Sequence, residues 1–153
     1  MLITEAQRLT LDLMAEHGLV QAGWRFRFDH ARRRFGSCRF HDRTITLSRH
    51  LVAANETTAV RDTILHEIAH ALVARPGHGA DWKRMAIRVG AKPERCYSRE
   101  IVEPQPAWAL SCPRCGTRWT RHRVRRIRYA CSRCRDVLGR PVLLHIERLA
   151  KAA

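Results

Sequence analysis

The feature that most constrains the fold is a run of apolar residues at helical spacing that contains two histidines. Between Asn55, which can cap a helix, and the helix-breaking residues 75–77, apolar side chains recur every three or four positions. His66 and His70 are four positions apart, so they project from the same face of the predicted helix. Two imidazoles placed in this way can occupy two corners of a tetrahedral zinc site. The sequence therefore predicts a packed helix that also carries metal ligands.

Glu67 supplies the acid–base group of this predicted site. It follows His66 by one residue, or about 100° of helix, so its carboxylate reaches past the metal toward a bound water. Zinc lowers the pKa of such a water to roughly 7, and a nearby carboxylate can take its proton and pass it to a leaving amine. The His-Glu-x-x-His pattern is typical of zinc peptidases. The alternative is a buried amphipathic helix whose histidines only satisfy hydrogen bonds.

A third ligand is predicted in the turn that follows the helix. His78 lies between two glycines, where flexible backbone can direct its ring back to the metal. Three protein ligands leave the fourth position open for water, as a catalytic zinc site requires. A carboxylate from Glu94 or Glu100 is the alternative third ligand, but neither lies in as clear a helical context. The predicted ligands of the catalytic zinc are His66, His70 and His78.

These residues carry a family resemblance. Residues 64–71 (ILHEIAHA), followed by residues 77–83 (GHGADWK), resemble the SprT-like domain of the Spartan metalloproteases. In that family the two motif histidines and the histidine of the later Gly-His-Gly sequence bind zinc, and the motif glutamate, here Glu67, is the catalytic base. The resemblance implies a DNA-dependent zinc endopeptidase that degrades proteins crosslinked or bound to DNA, and hence a role in DNA–protein crosslink repair.

The basic charge of the chain is concentrated toward its C-terminal end. Residues 1–104 carry 17 basic and 12 acidic side chains, whereas residues 105–153 carry 12 basic and 2 acidic ones. The Pro-containing residues 103–106 separate these compositions, so we predict a metalloprotease domain over 1–104 and a basic domain over 105–153. Such asymmetry favours a polyanionic partner, most simply nucleic acid. Alternatively, the arginines only decorate a solvated surface.

Two Cys-x-x-Cys pairs in the basic domain predict a second zinc site. Fifteen residues separate the pairs, a spacing typical of structural zinc sites. Four thiolates close the tetrahedron and leave no position open for water, so this zinc would be structural rather than catalytic. Disulfides are the alternative, but they are rare in cytoplasmic proteins. The predicted ligands are Cys112, Cys115, Cys131 and Cys134.

Between the two pairs, residues 118–129 (RWTRHRVRRIRY) read as a basic hairpin interleaved with aromatic residues. Arginines suit phosphate contacts, and aromatic rings can stack on bases with little sequence preference. We therefore predict binding to DNA, single-stranded or distorted, without sequence specificity. Alternatively, Trp119 and Tyr129 form the small core of the domain. The predicted DNA-contacting residues are Arg118, Trp119, Arg121, Arg123, Arg125, Arg126 and Arg128.

The expected fold class is α+β. The pattern predicts a first helix over 4–18, three short strands between residues 24 and 48, a helical turn over 48–54 and a later helix over 80–89 with Trp82 on its apolar face. We expect a small zincin-like metalloprotease domain, with helices packed on a short antiparallel sheet, and a C-terminal β zinc ribbon, which also resembles bacterial SprT proteins. One strand near the metal is a candidate for binding substrate backbone by β-augmentation.

The predicted function is DNA-dependent zinc endopeptidase, with a zinc-bound water as nucleophile and proteins on DNA as substrates. One alternative is a non-catalytic zinc-containing nucleic-acid-binding protein, and another is a zinc hydrolase with a different substrate. No apolar run is long enough to span a membrane and the first residues do not form a signal peptide, so the expected location is cytoplasmic and nucleoid-associated. Tyr97 is the nearest candidate for polarising the oxyanion.

Overall fold

The computed structural model describes residues 1–94 and 101–150. It divides the chain into two compact units, Met1–Pro104 and Gln105–Ala153. The predicted α+β class is confirmed, since the first unit packs helices on a small sheet and the second is built from short strands. Tyr97 and Glu100 lie outside the described residues. Among the helices that are described, none combines the length and the apolar character needed to cross a membrane.

In the part of the chain that the structure describes, the first unit contains four helices and three strands. Its largest element is a 17-residue helix that carries the two motif histidines. The elements in chain order are α1 Ile3–Glu16, β1 Arg25–Asp29, β2 Gly36–Arg39, β3 Thr44–Ser48, α2 Arg49–Ala54, α3 Thr57–Val73 and α4 Ala80–Val89. Helix α4 ends at Gly90, whose left-handed backbone (φ 84°) suits a residue without a side chain.

The sheet is mixed rather than purely antiparallel, which corrects the expectation for this domain. Its order is β1-β3-β2, with β1 parallel and β2 antiparallel to β3. After β1, residues 30–35 pass over the end of β3, where Ser48 Oγ donates to the Ala31 carbonyl at 2.5 Å and Ser48 N–H donates to the Phe35 carbonyl at 2.7 Å. The chain then forms β2, turns, and forms β3 between β1 and β2, antiparallel to β2. Strand β3 therefore lies in the middle of the sheet, and all five of its residues are buried.

Helix α3 is the centre of the hydrophobic core. Val60, Ile64, Leu65 and Ile68 on this helix are fully buried. The N-cap position of the helix is Glu56, whose side chain makes no capping hydrogen bond, and not Asn55, which corrects the predicted cap. Asn55 instead ends α2, and its buried side chain joins two parts of the chain. Its Nδ2 donates to the Leu51 carbonyl at 2.8 Å and the Val102 carbonyl at 2.9 Å, and its Oδ1 accepts the Val102 N–H at 2.8 Å.

Over residues 105–150, which the structure describes, the second unit contains five short strands in two small sheets. The strands are β4 Trp108–Ser111, β5 Arg118–Arg121, β6 Ala130–Arg135, β7 Pro141–Leu143 and β8 His145–Arg148, in the orders β5-β4-β8 and β6-β7. The predicted basic hairpin over 118–129 is wrong. The tight turn after Cys112, closed by its N–H to the Thr117 carbonyl at 3.0 Å, folds β5 back onto β4. Residues 122–129 then form an irregular connection to β6.

Replacing the side chain that joins α2 to residue 102 tests this packing. Asn55→Ala removes three hydrogen bonds and leaves buried backbone groups unpaired, so we expect a loss of about 2–4 kcal/mol in the free energy of unfolding. Urea denaturation of the full chain measures it. Glu56→Ala is the control, because that exposed side chain makes no capping bond, and we expect a change below about 0.5 kcal/mol. Equal losses in the two variants would contradict this role of Asn55.

Candidate active site and metal centres

The structure brings the three predicted histidines of the first unit together. The Nε2 atom of His78 lies 3.0 Å from His66 Nε2 and 3.1 Å from His70 Nε2. All three donor atoms fall within 4.8 Å of one another. A tetrahedral zinc with its usual Zn–N bond lengths separates its nitrogen ligands by about 3.3 Å. The donor set and its spacing therefore fit one zinc ion.

Three local features of the sequence produce this convergence. The spacing of His66 and His70 on α3 places both rings on one face of the helix. The helix ends at Ala74, which adopts the left-handed conformation (φ 53°), and the following turn returns the chain toward that face. His78 projects from this turn, just before α4 begins. The other candidate for third ligand within the described residues, Glu94, is exposed and is not part of the cluster.

Two of the imidazoles are held in the neutral form that metal binding requires. Burial, followed by the charges of His70 and His78, lowers the pKa of His66 to about 4. Burial and the charge of His78 lower the pKa of His70 to about 4, against a hydrogen bond to the Arg75 backbone that raises it. A hydrogen bond of this kind to a ligand imidazole also helps to orient the ring.

The indole ring of Trp82, on α4, packs against all three imidazoles of the cluster. Its ring centroid lies 4.6 Å from that of His66, 5.2 Å from His70 and 4.4 Å from His78. Trp82 is buried, as its place on the apolar face of α4 predicts. Sequence reasoning missed its contacts with all three imidazoles, because helical periodicity indicates burial without naming the neighbours. The indole restricts the rotation of the three rings and excludes water from one side of the site.

Glu67 is buried against strand β2, and its side chain is only 4% exposed. A methyl group on Gly36 of this strand would lie 2.7 Å from Glu67 Oε1 and 2.8 Å from its Cγ, so only glycine fits there without displacing the carboxylate. Burial raises the pKa of Glu67 to about 8, while the charge of Arg34 and a hydrogen bond to the Cys38 backbone act in the opposite direction. The carboxylate is therefore fixed in place and poised to exchange a proton near neutral pH.

Arg34 and Cys38 complete the surroundings of Glu67. The guanidinium of Arg34 is paired with Asp29 at 2.7 Å, and Asp29 Oδ2 also accepts the Thr46 hydroxyl at 2.9 Å. This network fixes the Arg34 guanidinium, whose charge acts on Glu67, in place. Burial, with a further effect from the Glu67 charge, raises the pKa of Cys38 to about 12. Cys38 is therefore a protonated packing residue rather than a nucleophile.

The four predicted cysteines of the second unit also converge. Their Sγ atoms all lie within 4.8 Å of one another, with Cys115 and Cys131 3.9 Å apart. A tetrahedral zinc with Zn–S bonds of about 2.3 Å separates its sulfurs by about 3.8 Å. All four cysteines are free thiols, so the alternative of two disulfides is not what the structure contains. A hydrogen bond with the Thr117 hydroxyl at 3.2 Å lowers the pKa of Cys115 to about 6, which favours the thiolate that binds metal.

The predicted DNA-contacting residues occupy β5 and the irregular segment after it. Arg118 and Arg121 lie on β5, and the other four arginines, at 123, 125, 126 and 128, lie on residues 122–129. All six are exposed, whereas Trp119 is half-buried. The Tyr129 hydroxyl accepts the Arg125 N–H at 2.8 Å, so this ring helps to fold the segment. Their contacts with DNA stay a prediction.

The main omissions from the sequence-based site are Gly36, Trp82 and the pair of Asp29 with Arg34. Gly36 lies near the beginning of a predicted strand, and a glycine in a strand often marks the close approach of another group. That signal could have identified Gly36. No local pattern connects Arg34 to Glu67, because they are 33 positions apart in the sequence.

Comparison with known proteins gives a family match over residues 5–101, to the SprT-like family. Protein SprT of Pseudomonas entomophila (strain L48) is 28% identical over 118 residues, which cover 67% of this chain and 71% of that protein. Protein SprT of Pseudomonas putida (strain W619) matches with the same identity and coverage. The family match includes the whole histidine site and confirms the resemblance predicted from residues 64–83.

Two solved structures are also similar. The metallopeptidase zymogen of Methanocaldococcus jannaschii jannalysin aligns with a TM-score of 0.49 and 14% identity, over 63% of this chain and 85% of that chain. The metallopeptidase zymogen of Pyrococcus abyssi abylysin aligns with a TM-score of 0.43 and 20% identity, over 52% of this chain and 78% of that chain.

The contact between Gly36 and Glu67 can be tested through stability. Gly36→Ala inserts a methyl group into the packed carboxylate, so we expect a loss of about 1–3 kcal/mol in the free energy of unfolding. Gly79→Ala is the matched control, because a methyl group there meets nothing within 4 Å and its φ of −69° suits any residue. We expect it to change stability by less than about 1 kcal/mol. Thermal and urea denaturation measure both variants, and equal losses would contradict the predicted contact.

Proposed function

The chain belongs to the SprT-like family, and we propose that it is a zinc metallopeptidase with Glu67 as its general base. The observation that carries this proposal is the convergence of three imidazole nitrogens, 3.0–3.1 Å apart at His78, together with a buried carboxylate on the residue that follows the first ligand. A structural zinc site needs no carboxylate beside it, and its four positions are usually filled by protein ligands. Here a fourth position is left for water.

In the proposed mechanism His66, His70 and His78 hold the zinc, which when bound would polarise the scissile carbonyl and the attacking water. Glu67 would accept the proton of that water on a carboxylate oxygen and deliver it to the nitrogen of the leaving amine. Its burial against Gly36 fixes the distance over which the proton moves. Burial raises the pKa of its carboxyl, which stabilises the protonated form between the two transfers.

Strand β2 is the proposed binding site for the substrate backbone. It lies at the edge of the β1-β3-β2 sheet, with no further strand beyond it in the part of the chain that the structure describes. Gly36, at its beginning, touches the Glu67 side chain. A substrate segment that adds to this edge by β-augmentation would therefore pass the catalytic carboxylate in an extended conformation. Main-chain hydrogen bonds of this kind give affinity with little sequence selectivity.

We further propose that the second unit binds DNA and that the substrates are proteins crosslinked or bound to DNA. Residues 105–153 carry 12 basic and 2 acidic side chains, and the six arginines between the cysteine pairs are exposed. Phosphate contacts by arginine are insensitive to base sequence, so single-stranded or distorted DNA of any sequence is the expected ligand. The four cysteines would hold a second, structural zinc. Association with the nucleoid follows from this proposal.

The alternative is a non-catalytic zinc protein that binds nucleic acid. It would use the histidine cluster as a structural site and would leave Glu67 without a role. The raised pKa of the Glu67 carboxyl and its close packing against Gly36 favour the peptidase instead. A measurement of peptide cleavage separates the two functions directly.

The metal content of the full chain tests the two proposed zinc sites. We expect two zinc ions per chain, since each donor cluster matches one tetrahedral ion. His78→Ala should retain one, because two imidazoles bind zinc weakly, and Cys115→Ser with Cys134→Ser should also retain one. Inductively coupled plasma mass spectrometry of the purified proteins measures the ratio. One zinc in the wild type, or two in either variant, would contradict the assignment.

Cleavage of casein by the zinc-loaded protein, with and without single-stranded DNA, tests the activity. We expect cleavage that increases with DNA and falls at least about 100-fold in Glu67→Gln, since general base catalysis contributes this much or more. The variant should bind zinc and DNA as the wild type does, which separates lost chemistry from lost folding. DNA binding without cleavage in the wild type would favour the non-catalytic alternative.

A further inference from the structure

The turn between β6 and β7 presents two apolar side chains to solvent. Val137 is 99% exposed and Leu138 is 70% exposed. Both sit at the tip of the hairpin, at the end opposite to the pairing of Ala130 with Leu143. Branched aliphatic side chains gain free energy when they leave water, so two adjacent ones at a hairpin tip indicate a contact surface. We name residues 137 and 138 the apolar tip.

The apolar tip is held rigidly by one side chain. Asp136 Oδ1 accepts the N–H groups of Leu138 and Arg140, each at 2.9 Å, and Oδ2 accepts Arg140 Nε at 2.9 Å. Asp136 N–H donates to the Arg140 carbonyl at 2.8 Å, and Gly139 N–H donates to the Asp136 carbonyl at 3.1 Å. Gly139 has a φ of 74°, which glycine adopts without strain. Little conformational freedom remains to be lost when the tip meets a partner.

Arginines surround the base of the tip. Arg133 and Arg135 lie on β6, Arg140 precedes β7, and Arg114 donates to the Arg135 carbonyl. Asp136 is the single acidic residue between 104 and 146. An apolar point inside a positively charged surface matches the way proteins insert aliphatic wedges between bases while arginines hold the flanking phosphates. A membrane surface would fit less well, because two side chains offer far less apolar area than a membrane-binding helix.

We propose that Val137 and Leu138 form a wedge that inserts between neighbouring bases of DNA held by the arginines of the second unit. This inference rests on the proposed binding of DNA. Burial of two aliphatic side chains gains about as much free energy as unstacking one base step costs. Insertion is therefore favoured where the stack is already interrupted, at a junction between single and double strands or beside a distorted base. The tip would thus select the DNA structure, while the arginines supply affinity.

The experiment uses the full chain and a DNA duplex with a single-stranded extension, with 2-aminopurine at the junction. Its fluorescence rises when the base loses its stacked neighbour. We expect the wild type to raise the fluorescence, and Val137→Ser with Leu138→Ser to abolish the rise and weaken binding to the junction about tenfold. Side chains as exposed as these contribute little packing, so the variant should keep its zinc content. Its salt dependence should be unchanged, because no phosphate contact is lost.

Arg125→Ala with Arg126→Ala is the matched control, since it removes charge and leaves the tip intact. We expect a smaller slope of log affinity against log salt, by about one for each lost phosphate contact, and a full rise in fluorescence at saturating protein. A tip variant that behaves as the wild type, or a wild type that binds DNA without unstacking the base, would overturn the wedge and leave DNA binding in place.

Two further experimental outcomes would also overturn the proposed wedge. A wild type that binds no DNA would overturn the wedge together with the DNA part of the proposed function, while casein cleavage would still report on the peptidase. Binding to phosphatidylserine vesicles that the tip variant loses, with an unchanged signal on DNA, would assign the tip to a membrane surface and overturn the proposal.

Discussion

The first unit depends on the burial of helix α3. One side of this helix supplies fully buried residues such as Val60, Ile64 and Leu65 to the core, and the adjoining face supplies His66 and His70. The same packing that stabilises the fold therefore fixes the positions of the ligands. Because protein interiors are close-packed, a small shift of α3 would move both imidazoles together and leave their spacing unchanged. The site is as rigid as the core on which it is built.

The buried polar groups of this helix are compatible with the core because each has a specific neighbour. His66 and His70 face a third imidazole and the Trp82 ring, and Glu67 lies against Gly36 and the Cys38 backbone. Burial makes the charged forms of all three groups unfavourable, so the two imidazoles are neutral and the carboxyl holds its proton more tightly than in water. A bound divalent cation would offset this cost, which couples metal binding to the stability of the unit.

The second unit has far fewer buried apolar residues than the first to stabilise its fold. Its buried apolar residues in the described part of the chain are Ala109, Leu110, Cys112 and Cys131, and two of these four are proposed metal ligands. A unit of this size cannot rely on such a core, so the cysteine cluster would supply most of its stability. Since the strands bury so little, their arginines and the tip residues Val137 and Leu138 stay available for a partner.

The sequence by itself determined the elements of the first unit and the two donor sets, since helical spacing, the Cys-x-x-Cys pairs and the turn containing His78 act over short distances. Only the tertiary structure decided that β1 runs parallel to β3, that β5 pairs with β4 rather than leading into a basic hairpin, and that Gly36 and Trp82 enclose the histidine site. Periodicity specifies which face of an element is buried. It carries no information about strand direction or about the residue that packs on that face, because both depend on contacts between distant parts of the chain.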